Sequence, residues 1–186
     1  MPRLFDIRRL GPTDLDRLAQ IDPLTARDAR RRAHLGELLT LGLSWGAFGN
    51  GEMVGFAVVS RHFFNFPFVD LLLVAEAQRR QGVGRSLMDH CEQVHDADRI
   101  FTSTNESNGP MRALMARAGW RPCGQVDALD PGDPELFFVK FRSATYGAGV
   151  IPLPCHPGSE RSELSGTSFS TAPRRSRMTP LRGSPG

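Results

Sequence analysis

The residues with the clearest chemical potential lie in a basic, glycine-containing turn. Residues 79–84 read Arg-Arg-Gln-Gly-Val-Gly, and a third arginine, Arg85, follows them. Gly82 and Gly84 lack a Cβ atom, so a ligand can approach the backbone closely at both positions. If a helix begins here, its free N–H groups and the positive end of its dipole add to the charge of the arginines. Such a turn is suited to binding an anion, for example a phosphate or pyrophosphate.

The segments on either side of this turn would hold it in place. A short run of apolar, mostly branched residues precedes it, consisting of Val69 and Leu71 to Val74, and predicts a strand buried on both faces of a sheet. Apolar residues after the turn are spaced for one face of a helix, and they are Val83, Leu87, Cys91 and Val94. The sequence therefore predicts the order buried strand, basic turn, helix.

A plain strand-to-helix turn with solvated arginines would explain the same residues. The turn lacks the G-x-x-x-x-G-K-[ST] pattern of P-loops. Leu87 also stands where a G-x-G-x-x-G motif needs its third glycine. The turn by itself therefore leaves both interpretations open.

The first part of the chain predicts a strand, two helices and a hairpin. A strand is expected near residues 5–8, followed by a helix with Thr13 at its N-cap. Thr25 is expected to cap a second helix, from residue 26 to about 41. Asn50-Gly51 between two apolar runs predicts a hairpin. Pro67 is expected to interrupt the aromatic segment that leads into the central strand.

The second part of the chain predicts three more strands and one helix. A strand is expected at 99–104, and the polar segment 105–108 then leads into a helix at 110–118 that Gly119 ends. Strands follow at 120–126 and 136–141. This pattern is typical of an α+β domain with a mixed sheet, because the repeated βαβ units of a doubly wound fold are absent from it.

The amino-acid composition of the chain changes at about residue 143. Residues 1–142 carry equal numbers of basic and acidic side chains, so the net charge of +3 lies entirely in residues 143–186, which are rich in Gly, Pro, Ser, Thr and Arg. We expect a domain at 1–142 and a disordered tail at 143–186. The chain has no signal-peptide pattern and no long apolar window, and its three cysteines lack metal-ligand spacing. A cytoplasmic protein without metal, nucleic-acid or membrane partners is therefore expected.

Two segments resemble motifs of the GNAT superfamily of N-acetyltransferases. Arg79-x-x-Gly82-x-Gly84 after a buried strand is similar to the family's [QR]-x-x-G-x-[GA] motif. Asn108 to Trp120, which reads N-G-P-M-R-A-L-M-A-R-A-G-W, is similar to the family's late helix, N-x-x-A-x-x-L-Y-x-x-x-G-F. The resemblance covers residues 4–141 and implies a mixed, mostly antiparallel sheet of six or seven strands, with a splay between the fourth and fifth.

The resemblance also implies acetyl-CoA as the acyl donor. Its pantetheine arm would lie along the fourth strand, and its pyrophosphate would sit on the turn and helix start. Asn108 matches the family's asparagine that contacts the arm, with Asn105 as a nearby alternative. The implied cofactor-binding residues are Leu72, Leu73, Val74, Arg79, Arg80, Gln81, Gly82, Val83, Gly84, Arg85, Ser86, Asn105 and Asn108. A backbone N–H near Val74 would polarise the thioester carbonyl.

The groups that would move protons are less well defined. The amine must lose a proton before it attacks, and a carboxylate acting through water is the usual base. Glu106 is our choice, with Asp70 and Glu76 as alternatives. The family often protonates the leaving thiolate with a tyrosine, but that position is Met115 here, and the chain's one tyrosine, Tyr146, is in the predicted tail. Ser107 or a water could substitute.

Three functions are compatible with these features. The first is transfer of an acetyl group from acetyl-CoA to a primary amine, by a monomer or homodimer. The second is a non-catalytic acyl-CoA-binding module or sensor, towards which Met115 points. The third is a different nucleotide-binding protein that uses the basic turn. We favour the first, because positioning of the thioester and its polarisation by the backbone need no tyrosine.

Overall fold

Seven strands join into one mixed sheet within residues 5–142, the part of the chain that the computed structural model describes. The sheet order is β1-β2-β3-β4-β5-β7-β6, and every neighbouring pair is antiparallel except β4–β5. The strands are β1 (Asp6–Arg9), β2 (Ser44–Gly49), β3 (Glu52–Phe63), β4 (Phe66–Val74), β5 (Arg99–Asn105), β6 (Arg121–Val126) and β7 (Glu135–Phe141). The predicted α+β fold is confirmed, while the predicted tail lies outside the described residues.

Helices cover both faces of this sheet. They are α1 (Leu15–Ile21), α2 (Pro23–Arg27), α3 (Ala29–Thr40), α4 (Val83–Gln93) and α5 (Gly109–Ala118). Because side chains alternate along a strand, Phe56 packs in the apolar cluster of α1 and α3, whereas Ala57 packs in the cluster of α4 and α5. The predicted apolar face of α4 is buried except for Val94, which follows the end of the helix and is 42% exposed.

The two N-terminal helix caps differ from the prediction. Thr13 lies inside a short 3-10 turn, Pro12–Asp14, and is not an N-cap. Thr25 is not a cap either, because the predicted single helix is broken into α2 and α3, capped by Asp22 and Asp28. The Thr25 hydroxyl instead donates a 2.6 Å hydrogen bond to Asp22. A carboxylate accepts helix amides at least as well as a hydroxyl does, so the aspartates occupy the caps.

Two tight turns shape the central strands. Asn50 and Gly51 adopt φ angles of 52° and 83° and join β2 to β3, which confirms the predicted hairpin. Phe64 and Asn65 adopt φ angles of 50° and 63° and join β3 to β4. The β3–β4 register is interrupted beside Pro67, between Ser60 and Phe63, as expected, although β4 already begins before the proline, at Phe66. A proline is tolerated there because pairing of β4 with β5 begins only after it.

Candidate active site

The sheet opens into a fork between β4 and β5. These strands are paired only at Phe68–Phe101 and Val69–Thr102. Beyond that row Asp70 forms a bulge, because Val58 and Val59 of β3 pair with Leu71 and Val69 and leave Asp70 between them. Within the described residues, the last part of β4 therefore has β3 on one side and a gap on the other.

Backbone groups of two β4 residues face this gap. The amide of Ala75 donates to the carbonyl of Val54 at 2.9 Å, which fixes the alternation of hydrogen bonds between β3 and β4. By that alternation Leu73 bonds to β3, whereas the N–H and C=O groups of Leu72 and Val74 point away from it. A guanidinium N–H of Arg79 donates to the Val74 carbonyl at 3.4 Å, in agreement with this direction. A ligand in the gap could pair with this edge as a strand would.

The basic turn at the end of β4 has an unusual backbone. Arg80 and Gly82 both lie in the left-handed region, with φ angles of 63° and 92°. Gly82 is the N-cap of α4, and the first intrahelical bond runs from the Ser86 amide to the Gly82 carbonyl at 2.9 Å. The amides of residues 83–85 therefore have no partner within the helix, and they point out of its N-terminus. Alternating backbone conformations of this kind form a concave anion site.

The three arginines of the turn are not equivalent. Arg85 forms an ion pair with Asp89 at 2.7 Å and donates to the Arg117 carbonyl at 3.1 Å, so its charge is directed along α4. Arg79 is exposed and bends back over Val74. Arg80 is also exposed. The side chains of Arg79 and Arg80, together with the free amides, supply the positive potential of the turn.

Gly84 lies where β4 and α5 approach the start of α4. A Cβ atom at this position would lie 3.4 Å from Cδ2 of Leu114, 3.7 Å from Cγ2 of Val74 and 3.9 Å from Cδ2 of Leu72. These are ordinary contacts, so alanine would fit and a larger side chain would not. The glycine thus brings the helix N-terminus against the free edge of β4.

The two candidate asparagines after β5 are both held by protein groups. Asn108 caps α5, because its Oδ1 accepts from the Met111 amide at 3.2 Å, and its Nδ2 donates to Thr104 at 3.0 Å. The Nδ2 of Asn105 donates to Asp130 at 2.8 Å. This bond uses the amide nitrogen of Asn105 and leaves its Oδ1 oxygen available to accept a hydrogen bond. Asn105 is therefore the better placed of the two to contact a ligand.

Ser107 is also committed to a protein partner. Its hydroxyl donates to Asp133 at 2.6 Å, and its amide donates to the other oxygen of the same carboxylate at 2.9 Å. The hydrogen bonds from Ser107 hold the pKa of Asp133 below its usual range. The hydroxyl proton thus already lies on a strong acceptor, which makes Ser107 a poor acid for a thiolate.

Among the three carboxylates considered as bases, Asp70 has the most specific surroundings. Asp70 is exposed like the other two, but desolvation by the groups around it raises its pKa above the ordinary value, against the opposing effect of hydrogen bonds from Ser60 and of the charges on His62 and His34. Glu106 is exposed on the loop after β5, and Glu76 is exposed beside the basic turn. The influence of Ser60 and His34 on Asp70 could not be predicted from the sequence, because Ser60 lies on β3 and His34 on α3. No local spacing connects them to Asp70.

The position of the missing tyrosine is part of the core. Met115 is fully buried and packs in the apolar cluster of α4 and α5. Its thioether has no proton to give. The described residues therefore place no ionisable side chain at this point of α5.

Two arginines of α3 form ion pairs within the domain. Arg31 bonds to Asp22 at 2.5 Å, and Arg32 bonds to Asp16 at 2.5 Å. Burial would raise the pKa of Asp22, but hydrogen bonds from Thr25 and Arg31 bring it below its usual range. These two arginines stabilise the helix packing and are not free to bind an acidic acceptor.

Residues 5–142 contain neither a membrane-spanning helix nor a cluster of metal-binding side chains. No helix there has the length and apolarity to cross a membrane. No group of three or more His, Cys, Asp or Glu side chains there could hold a metal ion.

Comparisons with known proteins agree on one family. The model of the Acetyltransferase (GNAT) family matches residues 12–120. A GNAT-family acetyltransferase from Bacillus cereus ATCC 10987 is 28% identical, with a TM-score of 0.70 over 74% of this chain and 97% of its own. The comparison with curated proteins gave no match.

More distant solved structures show the same fold. Diaminobutyrate acetyltransferase from Paenibacillus lautus, in complex with L-2,4-diaminobutyric acid and coenzyme A, is 21% identical, with a TM-score of 0.60 over 72% of this chain and 93% of its own. The ribosomal-protein-S18-alanine N-acetyltransferase from Escherichia coli is 18% identical, with a TM-score of 0.62 over 77% of this chain and 99% of its own. At these identities the likeness concerns the fold alone.

Proposed function

The chain belongs to the acetyltransferase (GNAT) family, and from this premise we propose that it transfers an acetyl group from acetyl-CoA to a primary amine by direct attack on the thioester. The observation that carries the proposal is the fork. It combines an unpaired strand edge at Leu72 and Val74 with a positive turn at the end of the same strand. An extended, amide-containing arm that ends in a pyrophosphate has the matching shape and charge.

The donor would be held mainly by backbone. The pyrophosphate would accept hydrogen bonds from the amides of the turn and helix start, with Asn105 or Asn108 touching the arm from across the fork. The arm would pair with β4 along 72–74, and Leu73 would contribute by fixing the register of that edge against β3. The residues proposed for this role are Leu72, Leu73, Val74, Arg79, Arg80, Gln81, Gly82, Val83, Gly84, Arg85, Ser86, Asn105 and Asn108.

The reacting end would lie towards the fork. Val74 adjoins the turn, while Asp70 lies about 13 Å back along the strand at 3.3 Å per residue. A pyrophosphate on the turn therefore directs the thioester towards Leu72 and Asp70. The Leu72 N–H is then better placed than that of Val74 to donate to the carbonyl oxygen as negative charge develops on it.

We propose Asp70 as the base, with Glu106 as the second candidate. An amine is mostly protonated at neutral pH, so it must release a proton before its nitrogen attacks the carbonyl carbon. Asp70 would take this proton, directly or through water. The carbon–sulfur bond then breaks, the electron pair leaves on sulfur, and water protonates the thiolate of coenzyme A. A thiol with a pKa near ~8.5 is a tolerable leaving group without a dedicated acid.

A second candidate function follows from one observation. Met115 is buried in the core at the position where a tyrosine would donate a proton. A domain that binds acyl-CoA but does not transfer the acyl group would need no such donor. The two functions share the donor site and differ in turnover.

The experiment that tests the proposal is a calorimetric titration of the full-length protein with acetyl-CoA, with ATP and ADP as controls, followed by measurement of thiol release with a panel of amines. Acetyl-CoA binding together with amine-dependent thiol release supports the transferase. Binding without release favours the acyl-CoA-binding module. Equal binding of acetyl-CoA and ADP would favour a nucleotide site, and no binding of acetyl-CoA would reject the proposed site.

A further inference from the structure

Five phenylalanine side chains form a continuous strip across four strands. Phe63 lies at the centre, with its ring centroid 5.0 Å from Phe68, 5.1 Å from Phe101 and 5.5 Å from Phe137. Phe66 extends the strip and lies 5.5 Å from Phe101. These separations are typical of favourable aromatic pairs. The strip joins β3, β4, β5 and β7.

The strip lies on the same sheet face as α1 and α3. Val69, Ile100 and Phe138 pack under α4 and α5, so their neighbours Phe68, Phe101 and Phe137 face the opposite side. All five rings are partly exposed, and none belongs to the buried cluster under α1 and α3. This is an apolar surface beside the helices, and water reaches it.

The strip begins at the fork. Phe68 and Phe101 form the first of the two paired rows of β4 and β5, and only the row of Val69 and Thr102 separates them from the gap. Phe68 of β4 pairs with Ser60 of β3, and the side chain of Ser60 forms a hydrogen bond with Asp70. Asp70 is the first residue beyond the last paired row, and the charge of His34 on α3 acts on it. A carboxylate thus stands at the inner border of an aromatic surface, where the reacting end of acetyl-CoA is proposed to lie.

We propose that this strip is the acceptor subsite and that the acceptor is a primary amine joined by a short linker to an aromatic ring. The inference rests on the proposed function. The ring would stack on Phe68, Phe101 and Phe137, while the cationic amine would lie against Asp70. An amine with a carboxylate beside its nitrogen would be disfavoured, since that group would be repelled by Asp70.

The test compares amines of graded structure on the full-length wild-type protein saturated with acetyl-CoA. Thiol release is measured with 2-phenylethylamine, with ethylamine, which lacks the ring, and with phenylalanine, which adds the carboxylate. We expect kcat/KM for 2-phenylethylamine to exceed that of both by at least about tenfold, because stacking and burial of the ring add to binding. Equal values for 2-phenylethylamine and ethylamine would overturn the inference and leave the proposed transferase intact.

Paired variants locate the preference on the strip. In Phe101→Leu and Phe137→Leu we expect the advantage of 2-phenylethylamine over ethylamine to fall at least about threefold through KM. Phe141→Leu is the matched control, because Phe141 lies further from the fork, against Arg99 and Arg121. A preference that all three variants retain would show that the ring binds elsewhere.

A binding measurement separates failure of this inference from failure of the proposed function. Calorimetry of 2-phenylethylamine and ethylamine, each titrated into the protein saturated with coenzyme A, needs no turnover. Tighter binding of the aromatic amine supports the strip even if transfer is slow. If coenzyme A itself does not bind, the proposed function fails and the inference fails with it.

Discussion

The hydroxyl of Thr102 donates a 3.0 Å hydrogen bond to the backbone carbonyl oxygen of Val69. Thr102 is 1% exposed, and the two residues form the last paired row of β4 and β5. Beyond this bond the strands separate. It therefore fixes the point where the fork opens and, with it, the level at which Asp70 stands.

The variant Thr102→Val removes this bond while it keeps the shape of the side chain. The Val69 carbonyl loses this hydrogen bond in a buried position, so we expect the free energy of unfolding to fall by about 1–2 kcal/mol. Because the fork is less well fixed, the Kd for acetyl-CoA should rise as well. Urea titration and calorimetry measure the two effects. Thr102→Ser keeps the hydroxyl, and if it were as destabilised as Thr102→Val, the hydrogen bond would not be the cause.

The variant Gly82→Glu tests the anion site at the turn. A Cβ at Gly82 would meet open space, so the substitution adds a negative charge without a steric clash. We expect acetyl-CoA binding to weaken by at least about 100-fold, because the carboxylate would oppose the pyrophosphate at close range. Gly51→Glu is the matched control, since Gly51 also has open space and a positive φ, 83° against 92°. Equal loss of binding in both variants would point to backbone strain.

Local sequence signals predicted the turn and the elements beside it. Asn50-Gly51, the glycines at 82 and 84 and the Asn108-to-Gly119 helix carry their own turn and capping chemistry, so short windows suffice to identify them. Asp22 and Asp28 were missed as caps, although Asp22-Pro23 is itself a signal, because proline is favoured just after an N-cap.

The acceptor side of the site could not be predicted in the same way. Asp70 acquires its surroundings from Ser60, His62 and His34, which lie on β3 and α3. The bulge that presents it depends on the register between β3 and β4, and no residue of β4 alone encodes that register. The sequence therefore favoured Glu106 and kept Asp70 as an alternative, and only packing gives Asp70 its specific surroundings.

The variant Asp70→Asn separates catalysis from stability. If Asp70 is the base, kcat should fall on the order of 100-fold or more, while Kd for acetyl-CoA stays near the wild-type value. In the wild type, kcat/KM should decrease as pH falls through the raised pKa of Asp70. Glu106→Gln is the paired variant, and a large loss of kcat in it with none in Asp70→Asn would transfer the role to Glu106.

The substitution Asp70→Asn should lower kcat, but it should not lower the stability of the protein. Because the pKa of Asp70 is raised in the folded protein, the folded state holds its proton more tightly than the unfolded state at pH values between the ordinary pKa of an aspartate and the raised pKa. The free energy of unfolding should therefore decrease as pH rises through this window. Asp70→Asn removes that decrease, so at pH 7 it should be at least as stable as the wild type. A less stable variant would indicate that the carboxylate is structural.

The variant Met115→Tyr asks whether a tyrosine on α5 would restore an acid. Met115 is fully buried among apolar residues, so a larger ring would overpack the core and its hydroxyl would need a new partner. We expect the free energy of unfolding to fall by about 1–3 kcal/mol, with no rise in kcat. Met115→Leu, which conserves volume, should cost less than about 1.5 kcal/mol. A rise in kcat in Met115→Tyr would instead show that a side chain at this position reaches the leaving sulfur. Turnover of the wild type would then be limited by the lack of a good acid.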